Sequence, residues 1–173
     1  AVGPGLGRAH PGVVRLILES GLPAVMDADA LNLLAENREM LSLLGPRHVL
    51  TPHPGEAARL IGVKPVDLIE GAGALRALGA TVILKGPTSV IAGERTYLSA
   101  SGTPGMARGG SGDVLTGLTG ALLAQGLPPE KAAWVADELH GLAGEKAAQK
   151  YGVVSMGALE IIDCLPEVMG LAL

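Results

Sequence analysis

Residues 105–115 read Gly-Met-Ala-Arg-Gly-Gly-Ser-Gly-Asp-Val-Leu, a glycine-rich turn running straight into an apolar helical pattern. Backbone amides without an intrahelical partner gather at such a helix start, and together with the helix dipole they favour an anion. Lacking side chains at three of four positions, the backbone of Gly109, Gly110, Ser111 and Gly112 can lie close against a phosphate. Asp113 falls in the first helical turn, beside that anion. A carboxylate there acts as a base or positioning group for an attacking hydroxyl. The plainer reading leaves Asp113 as a favourable charge at a helix start. No Gly-Lys-Ser/Thr follows, so the loop is not of the Walker A type.

Outward from this loop, short apolar runs alternate with helical ones. Pro23–Met26, His48–Leu50, Thr81–Leu84, Ser89–Ala92 and Thr96–Leu98 read as strands, the last two joined by Gly93-Glu94 as a hairpin. Helical spacing covers Gly12–Ser20, a stretch capped by Asp29 that runs through Leu34, then Glu56–Ile61 and Val66–Leu78. Past the loop it covers Asp113–Gln125, Pro129–Lys150 and Ser155–Cys164. This alternation predicts an α/β fold with a mainly parallel sheet. No repeat, low-complexity tract or linker divides residues 1–173, so one domain is expected.

Composition narrows the function. The 173 residues are 48% hydrophobic, with 13 basic and 17 acidic side chains and a net charge of −4. A sequence pI near 5.5 argues against a nucleic-acid partner, which selects for basic patches. Cys164 is the one cysteine, which excludes a disulfide scaffold and a cysteine zinc site. There is no apolar run long enough to span a membrane and no secretory-type leader pattern, so the expected location is cytoplasmic. Glycine is unusually frequent at 26 residues, and Phe is absent. Since disordered chains lack Val, Ile and Leu, which this chain has in plenty, the glycines belong to a folded domain.

Four further segments are chemically suggestive. Lys85-Gly86-Pro87-Thr88-Ser89 follows a strand, where open α/β sheets bind ligands; it offers one charge, backbone amides and two hydroxyls, or it is an ordinary turn. In Thr51-Pro52-His53-Pro54-Gly55-Glu56 two prolines stiffen the backbone around His53. His53 and Glu56 could hold a substrate or a water-bridged Mg²⁺, or Glu56 could simply stabilise a helix start. Gly3-Pro4-Gly5-Leu6-Gly7 can present amides to a pyrophosphate. Asp27-Ala28-Asp29-Ala30-Leu31-Asn32 follows a strand end, with Asp29 the helix cap and Asp27 and Asn32 open. His10, His48 and His140 lack such framing and read as structural or exposed.

Taken in order, GPGLG (3–7), DADALNLL (27–34), TPHPGE (51–56), LKGPTSVIA (84–92), PGMARGGSGDVLTG (104–117) and LHGLAG (139–144) strongly resemble the ADP/ATP-dependent NAD(P)H-hydrate dehydratase family. That family belongs to the ribokinase-like superfamily. The resemblance implies a ribokinase-like three-layer fold. It also implies a repair reaction in which hydrated NADH or NADPH is phosphorylated on its C6 hydroxyl and then loses phosphate, at the expense of ADP or ATP. Carried over by motif, Asp113 resembles the base and a contact to the hydrated dinucleotide, and Gly109–Gly112 the anion hole. Lys85, Gly86, Pro87, Thr88 and Ser89, with Gly112, resemble the adenine-nucleotide site. Gly5 and His53 resemble further substrate contacts, and Glu56 the acid that positions Mg²⁺ in related kinases.

Thr103 and Arg108 depart from the family pattern, where Asn and a small hydroxyl residue are common. The resemblance also implies further residues before GPGLG, so this chain is expected to be the larger, C-terminal part of the domain. A homotetramer and a fused or separate epimerase are implied as well. The alternatives are a ribokinase-like kinase acting on a vitamin precursor, favoured less by GPGLG and TPHPGE, and a non-catalytic nucleotide-binding remnant.

Overall fold

Strands β1 (Ala24–Met26), β2 (His48–Leu50) and β3 (Thr81–Leu84) are buried at every residue, as parallel strands must be when both faces of a sheet are covered. The computed structural model, which describes residues 1–170, shows how. β1 pairs with β2 and β2 with β3 in parallel; β4 (Ser89–Ala92) pairs antiparallel with β3, and β5 (Thr96–Ser99) antiparallel with β4. The order is β1-β2-β3-β4-β5, and β4 alone runs against the rest. The expected β4–β5 hairpin is present, and the Lys85–Thr88 turn makes a second one with β3. Val2 bridges Met26 in parallel beyond β1, so the opening segment extends that edge.

Strand side chains alternate between faces. Met26, Leu50, Val82 and Leu84 pack against α1 (Pro11–Glu19), α2 (Asp29–Glu36), α3 (Pro54–Ile61) and α4 (Leu68–Arg76). Val25, Val49, Ile83 and Ile91 face α5 (Ser111–Ala124) and α6 (Pro129–Tyr151). The result is the expected three-layer α/β sandwich. A third cluster, with Leu139, Ala143, Ile161 and Cys164, joins α6 to α7 (Ala158–Met169). Among the described residues no helix is long and apolar enough to cross a membrane.

Three local expectations are corrected. Helix α5 starts at Ser111 rather than Asp113, because Gly110 takes φ 88° and closes the preceding turn. Helix α7 runs Ala158–Met169 rather than Ser155–Cys164. Ser155 and Met156 still turn back onto Gly152, with N–H to O distances of 3.1 and 3.0 Å, and burial of Val168 draws the helix on through Pro166. Asp29 is the first residue of α2 and not its cap, which is Ala28 at φ 47°; its Oδ2 accepts instead from the Gly7 N–H at 2.8 Å. A 3-10 helix over Arg38–Leu43 carries no signal that distinguishes it from a loop in sequence.

Candidate active site

The parallel ladder continues past the strand ends. Thr51 N–H donates to Met26 O at 3.1 Å and Lys85 N–H to Pro52 O at 2.9 Å. This brings Asp27, Thr51 and Lys85 to one edge of the sheet, opposite the start of α5. There Lys85 Nζ lies 2.9 Å from Asp27 Oδ1, and Thr116 Oγ1, from α5, donates to Asp27 Oδ2 at 2.7 Å. Asp27 is 2% exposed, so its charge is held by two donors rather than by water. The glycine loop rests on this pair. A Cβ at Gly112 would stand 3.3 Å from Lys85 Nζ and 3.7 Å from Asp27 Oδ2.

A cavity of about 820 Å³ opens beside it. The glycine loop contributes Arg108, Gly109, Ser111 and Gly112 to its wall; the β3–β4 turn contributes Lys85, Gly86, Pro87 and Ser89; His53 lies at another side. Gly110, Thr88 and Asp113 are not part of this lining. Asp113 is exposed on the first turn of α5, adjacent to Gly112. Gly5 and Glu56 are not part of the wall: Gly5 is exposed, in a turn closed by Leu6 N–H on Gly3 O at 3.0 Å. Arg108, which departs from the family pattern, lines the cavity while its guanidinium donates to Val154 O.

His53 and Glu56 together form a capping box on α3. His53 Nδ1 accepts from Gly55 N–H at 2.9 Å, and Glu56 Oε2 accepts from His53 N–H at 2.9 Å. The other Glu56 oxygen is 3.6 Å from His53 Nε2. Of the two readings of this turn, the geometry therefore displays the helix-stabilising one. Among the described residues no group of three His, Cys, Asp or Glu side chains is placed to hold a metal.

Helix α6 supplies two polar groups, Asp137, which the sequence reading did not single out, and His140, which it read as structural or exposed. His140 is 7% exposed, and its Nε2 lies 3.3 Å from Ser111 Oγ in the glycine loop. Burial lowers its pKa to about 4, against a smaller raising effect of the Ser111 hydrogen bond, and the Lys85 charge lowers it further; at neutral pH it is uncharged. Asp137, one helical turn before it, also lines the cavity, and burial raises its pKa. Their i, i+3 spacing on a helix of otherwise apolar inner face was the available signal. By contrast His48 is structural, its Nδ1 accepting from Gly45 N–H at 3.1 Å, and His10 is exposed. Asn32, also left open, accepts from Arg59 Nε at 2.9 Å. Gly144 lets the loop sit tight on α6, since a Cβ there would fall 2.1 Å from Met106 Sδ.

The family model described as NAD(P)H-hydrate dehydratase matches residues 1–167. The chain is 44% identical to a bifunctional NAD(P)H-hydrate repair enzyme of Moorella thermoacetica, over 98% of this chain and 34% of that protein. It is 42% identical to an ADP-dependent (S)-NAD(P)H-hydrate dehydratase of Neisseria meningitidis, over 88% of this chain and 55% of that protein. Among solved structures, the ADP/ATP-dependent NAD(P)H-hydrate dehydratase of Bacillus subtilis co-crystallised with ATP and Mg²⁺ superposes with a TM-score of 0.81 at 29% identity, covering 98% of this chain and 63% of that one. The chain thus spans between about a third and two thirds of the length of these relatives. With the family model matched from the first residue almost to the last, this chain belongs to the NAD(P)H-hydrate dehydratase family.

Proposed function

We propose that residues 1–173 belong to a single dehydratase domain, of which they are the larger part, and that this domain restores NADH or NADPH from its hydrate at the expense of ADP or ATP. The terminal phosphoryl group passes to the C6 hydroxyl of the hydrated ring. Phosphate then leaves C6 as a hydrogen is lost from the neighbouring carbon, and the ring double bond returns. In this reading Asp113 takes the hydroxyl proton as the bond to phosphorus forms. The amides of Gly109, Gly110, Ser111 and Gly112 hold the phosphoryl oxygens. The nucleotide lies on Lys85–Ser89 and Gly112, and the hydrated dinucleotide reaches Asp113, His53 and Gly5.

The observation that carries this reading is the start of α5. Gly110 provides no side-chain cap, and Ser111 N–H reaches Arg108 O only at 3.4 Å. The donors of this helix end are left for a ligand, with a lysine below them and a carboxylate beside them. Mg²⁺ fits less well. Glu56 is committed to the α3 cap and lies off the cavity wall, so it would reach an ion only through water, with phosphate oxygens completing the shell. A homotetramer, a cooperating epimerase and a cytoplasmic location complete the proposal, by likeness to the family.

The test is incubation of hydrated NADH with ADP or ATP. Return of the dihydronicotinamide absorbance supports the dehydratase. With a vitamin precursor in place of hydrated NADH, a stable phosphorylated product would assign the chain to the small-molecule kinases instead, and nucleotide binding without either product would leave a non-catalytic remnant.

A further inference from the structure

One wall of the cavity carries a charge of the wrong sign for a polyphosphate. Asp137 is the one carboxylate among the described residues that line the cavity, and it is 6% exposed. It enters none of the ion pairs among the described residues. Its neighbours are the hydroxyls of Ser99 and Ser89 and a second carboxylate, Glu138. Glu138 competes for one of these hydroxyls, accepting from Ser99 Oγ at 3.3 Å and also from Ser101 Oγ at 3.2 Å. A buried carboxylate with so few donors is costly unless something supplies more, and the cavity is where that something would enter.

Position narrows what it is. Asp137 precedes His140 by three residues, about 4.5 Å along the helix axis, and His140 touches Ser111 of the anion loop. With phosphates at that loop, the next groups along the cavity are the sugar and then the base. Both carry uncharged hydrogen-bond donors, which a carboxylate accepts and which no phosphate offers. We propose that Asp137 recognises the nucleoside half of the nucleotide, accepting a hydrogen bond from a ribose hydroxyl or from the exocyclic amine of adenine. The inference rests on the nucleotide reading of the cavity given above and adds the residue that selects among nucleotides.

Calorimetric titration of the purified protein and of Asp137→Ala tests it, with ADP, 2′-deoxy-ADP, 3′-deoxy-ADP, inosine diphosphate and pyrophosphate as probes. The variant should lose about tenfold in ADP affinity, the worth of one buried hydrogen bond, while pyrophosphate binds as before. If the ribose is the donor, the loss disappears with a deoxy analogue; if the base is, it disappears with inosine diphosphate. Either pattern supports the proposal. ADP affinity unchanged in the variant, or ADP and pyrophosphate weakened alike, overturns it while leaving the nucleotide site standing. Should the wild-type protein bind neither ADP nor pyrophosphate, the nucleotide reading falls and this inference with it. Asp137→Leu, which has the same branched shape but no acceptor, repeats the comparison if the alanine variant does not fold.

Discussion

Helices α3 and α5 start in nearly the same way and end up doing different things. Each follows a loop from the ligand-binding edge of the sheet, and each places glycine second and an acid third: Pro54-Gly55-Glu56 in one, Ser111-Gly112-Asp113 in the other. At α3 the preceding residue is His53, whose ring and whose partner Glu56 consume the free donors of the helix end. At α5 the preceding residue is Gly110, which has nothing to offer, and the donors and the acid stay unspent. One residue, at the cap, separates a helix start that satisfies itself from one without a side-chain cap, the one proposed to hold the anion. An acid in a first turn is therefore ambiguous until its cap is known.

The sharpest way to break this contrast is to remove the free acid. Asp113→Asn should lower hydrate-dehydrating turnover by about 10²- to 10⁴-fold, the usual worth of a positioned base, with ADP affinity unchanged by calorimetry. Turnover close to wild type would return Asp113 to the status of a helix-end charge.

His140 tests whether the open helix end is held in place from α6. Its depressed pKa means that the unfolded chain binds the proton more readily. The stability it confers is complete above the ordinary histidine value of 6.5 and is lost as pH falls toward about 4. Urea denaturation across that window should show a rise in stability with pH to which His140 contributes on the order of 3 kcal/mol, and His140→Gln should flatten it. Some slope will remain from His48, which burial and then Arg47 also lower, while Asp137, raised by burial, works in the opposite direction. An unchanged slope in His140→Gln would mean that the ring is not buried uncharged against Ser111.

Gly110→Ala puts a side chain where φ is 88° and where a Cβ would meet the Ala158 Cβ at 3.0 Å. A loss of about 1 to 2 kcal/mol is expected from the backbone alone, together with weaker phosphate binding; a melting temperature equal to wild type would contradict the left-handed cap. The smallest effect belongs to the other helix. Glu56→Ala should cost about 1 kcal/mol through the lost cap, and Glu56→Gln, which keeps an oxygen for the His53 N–H, should cost less. If Glu56→Gln melts normally yet loses turnover and its Mg²⁺ dependence, Glu56 serves the reaction and the contrast between the two helices fails.

Much of this was written in the residues themselves. The short apolar run Ala24–Met26 and the β-branched Thr81–Leu84 announced strands, and the glycine loop before Asp113 announced a helix start, because period, turn chemistry and helix-end donors are local properties. The order of six motifs was enough to identify the family. Boundaries were less legible: α7 keeps going past Cys164 because Val168 finds a core to enter, which no local preference encodes.

What only the tertiary structure decided is which charges meet. Asp27 and Lys85 are 58 residues apart and Asp27 and Thr116 are 89 apart, yet parallel pairing of β1, β2 and β3 stacks their ends and α5 closes over them. Asp137 and His140 looked like ordinary helix residues until α6 turned that face toward the cavity. The residues fixed locally what each segment could bind. The sheet, by choosing which strand ends lie side by side and which helix covers them, determined which of those capacities are satisfied within the protein and which are left open for a ligand.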